Sequence, residues 1–218
     1  MSDGTHSKHD VDHSPRSGMT AETRSKTAAS VSLPRRRIPG EEGIWVFVLG
    51  DLTVFAIFFG TFMYSRGKNP DAFARDHADL SVALGTVNTV LLLTSSLLVV
   101  LGIQKVMSGA HRTAPRFFLA AVACGLGFVA VKAVEWSHLF IEGKSVASGE
   151  FFSYYFMFTG IHLLHVLIGC IVLSWLIAMA RRAELTGRQI TLCETGGIFW
   201  HMVDLLWIVL FAQFYLMR

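Results

Sequence analysis

Five stretches of about 20 mostly apolar residues recur along this chain, and each is long enough to cross roughly 30 Å of hydrocarbon at about 1.5 Å per residue. They run from about Ile44 to Tyr64, Val82 to Ile103, Phe117 to His138, Phe152 to Ala180 and Thr195 to Met217. Backbone in lipid must satisfy its own hydrogen bonds, so runs of this length predict helices. With 52% hydrophobic and 16% charged residues among 218, an ordinary water-soluble domain is the wrong class. The predicted fold is all-α, a polytopic bundle of five transmembrane helices. The fourth run is long enough to tilt or to project past the bilayer.

Residues 1–43 differ in composition: Ser, Thr, His, Lys, Arg and Asp are scattered among few large apolar residues, ending in "LPRRRIPGEEG". This predicts a disordered cytoplasmic tail followed by a transmembrane domain over 44–218. No apolar h-region lies near the N-terminus, so a cleavable signal peptide is not expected, and Asp3, Asp10, Asp12 and Glu22 argue against a transit peptide. Lys and Arg are retained on the cytoplasmic side of membranes. The tail and the second and fourth loops carry thirteen of them, against five in the first loop, the third loop and the C-terminus. The expected orientation is N-terminus inside and C-terminus outside, in a multi-pass protein of the cell's inner (plasma) membrane.

The sequence pI near 8.9 thus reflects topology, and the Arg35–Arg37 cluster reads as a topogenic signal, with anionic lipid headgroups as its alternative contact and no nucleic-acid role. Cys124 and Cys170 fall inside spans and Cys193 at an interface, which suggests neither a disulfide framework nor a CxxC metal site.

The informative residues are the ionisable ones within the apolar runs: Asp51, Lys132, Glu135, His162, His165, His201 and Asp204, with His138 at a span end. Such groups are costly in hydrocarbon and must face protein or water, which makes each a candidate for a buried polar or proton-linked role. The bland reading is polar glue between helices, typically for about 1 kcal/mol or less. Residues three apart share a helix face, so Lys132, Glu135 and His138 form one stripe, His162 and His165 a second, and His201 and Asp204 a third. Counting rise from the cytoplasmic ends puts Asp51, His201 and Asp204 at roughly 9 to 14 Å and Lys132, Glu135, His162 and His165 at roughly 22 to 27 Å. Two layers are therefore expected. In the outer one Lys132 and Glu135 neutralise each other or share protons with His162 and His165; in the inner one Asp51 pairs with His201, with Asp204 competing.

A two-helix haem site is awkward, because His162 and His165 share one helix and His201 sits at another depth. Glu135 to His138 has ExxH spacing, but a di-iron carboxylate site needs a second such motif and two further Glu. Neither a catalytic nor a metal-binding residue is assigned.

Four segments together are similar to subunit III of the haem-copper oxidases, the cytochrome c oxidase family, in its short five-helix bacterial form. "FTGIHLLHVLIG" resembles that family's TGxHxxHVxxG segment through Gly160, His162, His165, Val166 and Gly169. "WHMVDLLWIVLFAQFYL" resembles its last helix through Trp200, His201, Val203, Asp204, Trp207, Leu210, Phe211 and Tyr215. "VNTVLLLTSSLLVVLG" is similar to its NTxxLLxSS helix, and "FVAVKAVEWSHLF" to the helix carrying Glu135 followed by an aromatic. Where the family commonly has a Ser-Glu pair with a carbodiimide-reactive carboxylate, this chain has Gly50 and Asp51. That substitution, with "PGEEGIWVFVLGD", resembles the branch associated with nitric oxide reductase.

The resemblance implies a noncatalytic subunit of a terminal oxidase in aerobic respiration. It implies no cofactor in this chain, with haem and copper in oxidase subunits I and II, and membrane phospholipids as further partners. It also implies support of the catalytic subunit's stability and proton uptake. The alternatives are an accessory protein of nitric oxide reductase in denitrification, and an independent proton channel or transporter. An odd helix number and the absence of an inverted repeat argue against the last.

Overall fold

A computed structural model describes residues 40–77, 80–110, 112–182 and 185–217. The tail expected over 1–43 lies outside the described residues as far as 39. Among the described residues, five helices are long and apolar enough to cross a membrane. They belong to α1 (Glu42–Lys68), α3 (Val82–Met107), α4 (Ala114–Ile141), α5 (Glu150–Ala180) and α6 (Gly187–Phe211), the last continued by a wider π-type turn over Ala212–Leu216. The short α2 (Pro70–His77) lies in the first connection, where the sequence had suggested only a loop.

Local chemistry sets the ends. Pro70 cannot donate a backbone hydrogen bond and starts α2 immediately after Asn69 closes α1. Ser81 caps α3 by accepting from Leu84 N–H, and Thr186 and Gln189 form a reciprocal capping box at the start of α6. The 31 residues of α5 extend about 46 Å, beyond what hydrocarbon alone requires.

Helices α3, α4, α5 and α6 pack side by side, each on its sequence neighbour, and α3 closes on α6. Small residues let the backbones approach. Trp200 of α6 is 1% exposed because Gly125 of α4 and Gly169 of α5 make room for its ring; a Cβ on Gly169 would lie 2.6 Å from Trp200 Cε3. Helix α1 is attached differently. It meets α5 and α6 through aromatic side chains: Phe58 stacks on Phe158 with ring centroids 5.3 Å apart, and Phe62 meets Phe214 edge-on at 4.9 Å. Phe73 of α2 is buried against Phe62 and Phe151, which pins the first connection to the body.

Candidate functional site

The ionisable residues of the spans fall into three groups. The most enclosed centres on Lys132 of α4, which is 1% exposed. Its ammonium donates to Glu135 Oε2 at 2.8 Å, to the Tyr155 hydroxyl of α5 at 3.0 Å and to the Tyr215 hydroxyl of the π-type turn at 2.7 Å. Three N–H donors thus have three oxygens. The Tyr215 hydroxyl in turn donates to Glu135 Oε1 at 2.6 Å, so both carboxylate oxygens are occupied. The rings of Tyr155, Trp207 and Tyr215 surround the ammonium at 4.9, 5.0 and 5.2 Å. Burying an ion pair costs desolvation, and only this degree of satisfaction offsets it. Trp207 N–H donates to Thr89 at 3.0 Å and so ties the group to α3 as well.

Glu135 also looks outward. With His138 and Glu142 it lines a cavity of about 270 Å³ at the C-terminal end of α4, whose rim includes Ser81 and Leu84 of the α3 start. His138 itself is exposed.

The second group joins α1 to α5. His165 Nε2 lies 3.2 Å from Asp51 Oδ1, and its Nδ1 lies 2.9 Å from the Ile161 carbonyl. A carbonyl oxygen only accepts, so Nδ1 carries a hydrogen. Nε2 is thereby the ring nitrogen turned toward the Asp51 carboxyl group.

The third group joins α3 to α6. Ser96 Oγ lies 2.7 Å from His201 Nδ1, and Asp204 follows one turn further along α6. Asp204 is 6% exposed.

The expected pairing of Lys132 with Glu135 is present, but two others are not. Asp51 meets His165 instead of His201, and His162 does not join the outer layer by hydrogen bonds. His162 is fully buried, edge-on to Phe128 at 5.6 Å and beside Trp207 at 5.4 Å. Neither of its ring nitrogens has a hydrogen-bond partner among the described residues. The reason is geometric. A helix of 31 residues is longer than a span requires, so depth counted from its end does not fix the level of His165 against α1. Likewise α6 starts at Gly187, well before the apolar run that set the count for His201.

Tyr155, Tyr215 and Ser96 complete these groups and were not singled out among the ionisable residues. Their signal was a hydroxyl in an apolar run at the level where a buried charge needs a partner. Among the described residues, no three His, Cys, Asp or Glu side chains are disposed to hold a metal ion. The arrangement is one of buried polar groups whose hydrogen bonds and ion contacts tie neighbouring helices together.

The sequence pattern of the family described as cytochrome c oxidase subunit III matches residues 40–218. Cytochrome c oxidase subunit 3 of Alkalihalophilus pseudofirmus is 32% identical over 80% of this chain and 85% of its own length. Quinol oxidase subunit 3 of Bacillus subtilis is 26% identical over 80% and 85% respectively. The heme-copper oxidase subunit I+III of Aeropyrum pernix is 28% identical over 79% of this chain, which spans 22% of that longer protein.

Proposed function

The chain belongs to the cytochrome c oxidase subunit III family, and from that membership we propose that, as the subunit III of a terminal oxidase, it supports the catalytic subunit without carrying a redox centre. The observation that carries this reading is the family match across 40–218, which takes in every helix described above. Haem and copper belong to the partner subunits. The partners are oxidase subunits I and II, and the Aeropyrum pernix protein, named as a subunit I+III, supports a direct contact with subunit I. Relatives named for cytochrome c and for quinol both occur, so the family leaves the electron donor open. The relatives favour the oxidase over nitric oxide reductase as the parent complex.

The chain sits in the cell's inner membrane with its N-terminus inside, a placement supported by thirteen Lys and Arg on one side against five on the other. Its buried pairs serve proton uptake by the complex and the rigidity of the face presented to the catalytic subunit. The test is a gentle-detergent pull-down on the tagged chain, with the haem spectrum recorded and the partners identified by mass spectrometry. Haem of the oxidase type with subunits I and II is the expected result. Haem b with nitric oxide reductase subunits would transfer the protein to that complex, and a colourless solitary chain would reopen transport.

A further inference from the structure

Lys132 and Glu135 are 1% and 3% exposed, yet the Glu135 carboxylate lines a cavity at the end of the bundle where α4 stops and α3 starts. His138 and Glu142, both exposed, line the same cavity, so it reaches the surface. Spacings of three and seven residues put Glu135, His138 and Glu142 on one face of α4. Opposite them stand Ser81 and Leu84 of the α3 start, and no Lys or Arg lines the cavity among the described residues. Its volume of about 270 Å³ has polar walls and room for several waters of about 30 Å³ each.

The groups facing Glu135 decide what a proton arriving by this route does. Helix α4 presents Lys132, His138 and Glu142, α5 presents Tyr155, the C-terminal turn presents Tyr215, and the α3 start presents only the Ser81 hydroxyl. Glu142 has its own cation, Lys144, at 3.7 Å. Of the three oxygens on the Lys132 ammonium, only that of Glu135 is anionic; the others belong to tyrosine hydroxyls. Adding a proton to Glu135 therefore leaves the ammonium buried without a counter-charge, an arrangement that costs several kcal/mol. The same proton weakens the acceptor of the Tyr215 hydroxyl, which fixes the C-terminal turn to α4 at 2.6 Å. His138 suits the mouth of such a route, because imidazole takes up and gives back a proton near neutral pH.

We propose that Glu135 is a proton-accepting site served through the His138 cavity from the aqueous face at the C-terminal end, and that its protonation releases the joint Lys132 makes between α4, α5 and the C-terminal turn. The proton adds to a carboxylate oxygen and leaves by the same cavity, so nothing else is consumed. The Lys132 group thus reads the acidity of the face opposite the N-terminal tail. The inference rests on the chain spanning a membrane and not on its partner enzyme, so either reading can fail without the other.

The test is a stopped-flow acid jump on the full-length chain in proteoliposomes, followed by tryptophan emission, because the Trp207 ring lies 5.0 Å from the ammonium. A C-terminal tag open to protease identifies the compartment that this end faces. Acidifying that compartment is expected to change the emission, and acidifying the other is not. The change should vanish in Lys132→Met/Glu135→Gln, which removes both charges together. In His138→Leu it should reach the same amplitude about a hundredfold more slowly, the lower end of what a positioned proton-transfer group contributes. A full response in the folded double variant would assign it to Asp51, His165, His201 or Asp204 and overturn the proposal. A response only from the tail side would overturn it as well. If the double variant does not fold, His138→Leu decides alone, since His138 is exposed and outside the joint; an unchanged rate there would show that protons do not reach Glu135 by this cavity.

Discussion

His165 of α5 lies 3.2 Å from Asp51 of α1, through Nε2 and Oδ1, and this contact joins the aromatically attached first helix to the body at a point where both side chains are largely buried. Removing either partner strands the other in an apolar setting. Asp51→Ala and His165→Ala are each expected to cost about 1–3 kcal/mol, read from unfolding of the purified chain. The double variant should cost little more than either single one, as residues that act as a pair do. Haem content per assembled complex should stay constant in Asp51→Ala, since the pair has no contact with a redox centre in this chain. Fewer haems in that variant would contradict the role given to Asp51.

The ammonium of Lys132 satisfies three oxygens and Glu135 receives two hydrogen bonds, so single neutralisations leave a buried charge unmatched. Lys132→Met is expected to destabilise by about 3–5 kcal/mol. Adding Glu135→Gln to it should recover part of that loss, because the remaining groups are then neutral. Unfolding measurements that give simply additive losses would show that the two residues do not act as a pair.

The two tyrosines around Lys132 are not equivalent. The Tyr215 hydroxyl accepts from Lys132 at 2.7 Å and donates to Glu135 at 2.6 Å, whereas the Tyr155 hydroxyl accepts from Lys132 at 3.0 Å and meets Tyr215 at 3.3 Å. Tyr215→Phe should therefore cost about 1–3 kcal/mol and Tyr155→Phe distinctly less. The ordering of thermal midpoints in detergent checks this, and a reversed order would count against the bonding pattern.

Glycine placement yields a contrast within one substitution type. A methyl on Gly169 meets Trp200 at 2.6 Å, while one on Gly60 has nothing within 4 Å. Gly169→Ala is expected to lose about 1–3 kcal/mol by overpacking. Gly60→Ala should be neutral or gain up to about 1 kcal/mol from helix propensity. Unfolding of the isolated chain gives both values, and equal midpoints for the two variants would refute the packing at Trp200.

The amino-acid sequence by itself determined the number and type of the long elements. A run of apolar residues of membrane length has no low-energy alternative to a helix, whatever its neighbours. It also determined the Lys132–Glu135 pair, because residues three apart on a helix meet without help from the rest of the fold. Tertiary structure alone decided the partners between helices. Whether Asp51 reaches His165 or His201 depends on the register of α1 against α5 and α6, and α6 begins at Gly187, ahead of the apolar run that marks it. The tyrosines that complete the Lys132 group lie 23 and 83 residues away from it along the chain, and no local period connects them. Rise per residue is a local quantity, but the vertical register of one helix against another is set by side-chain packing, here by Trp200 between Gly125 and Gly169 and by the phenylalanines of α1.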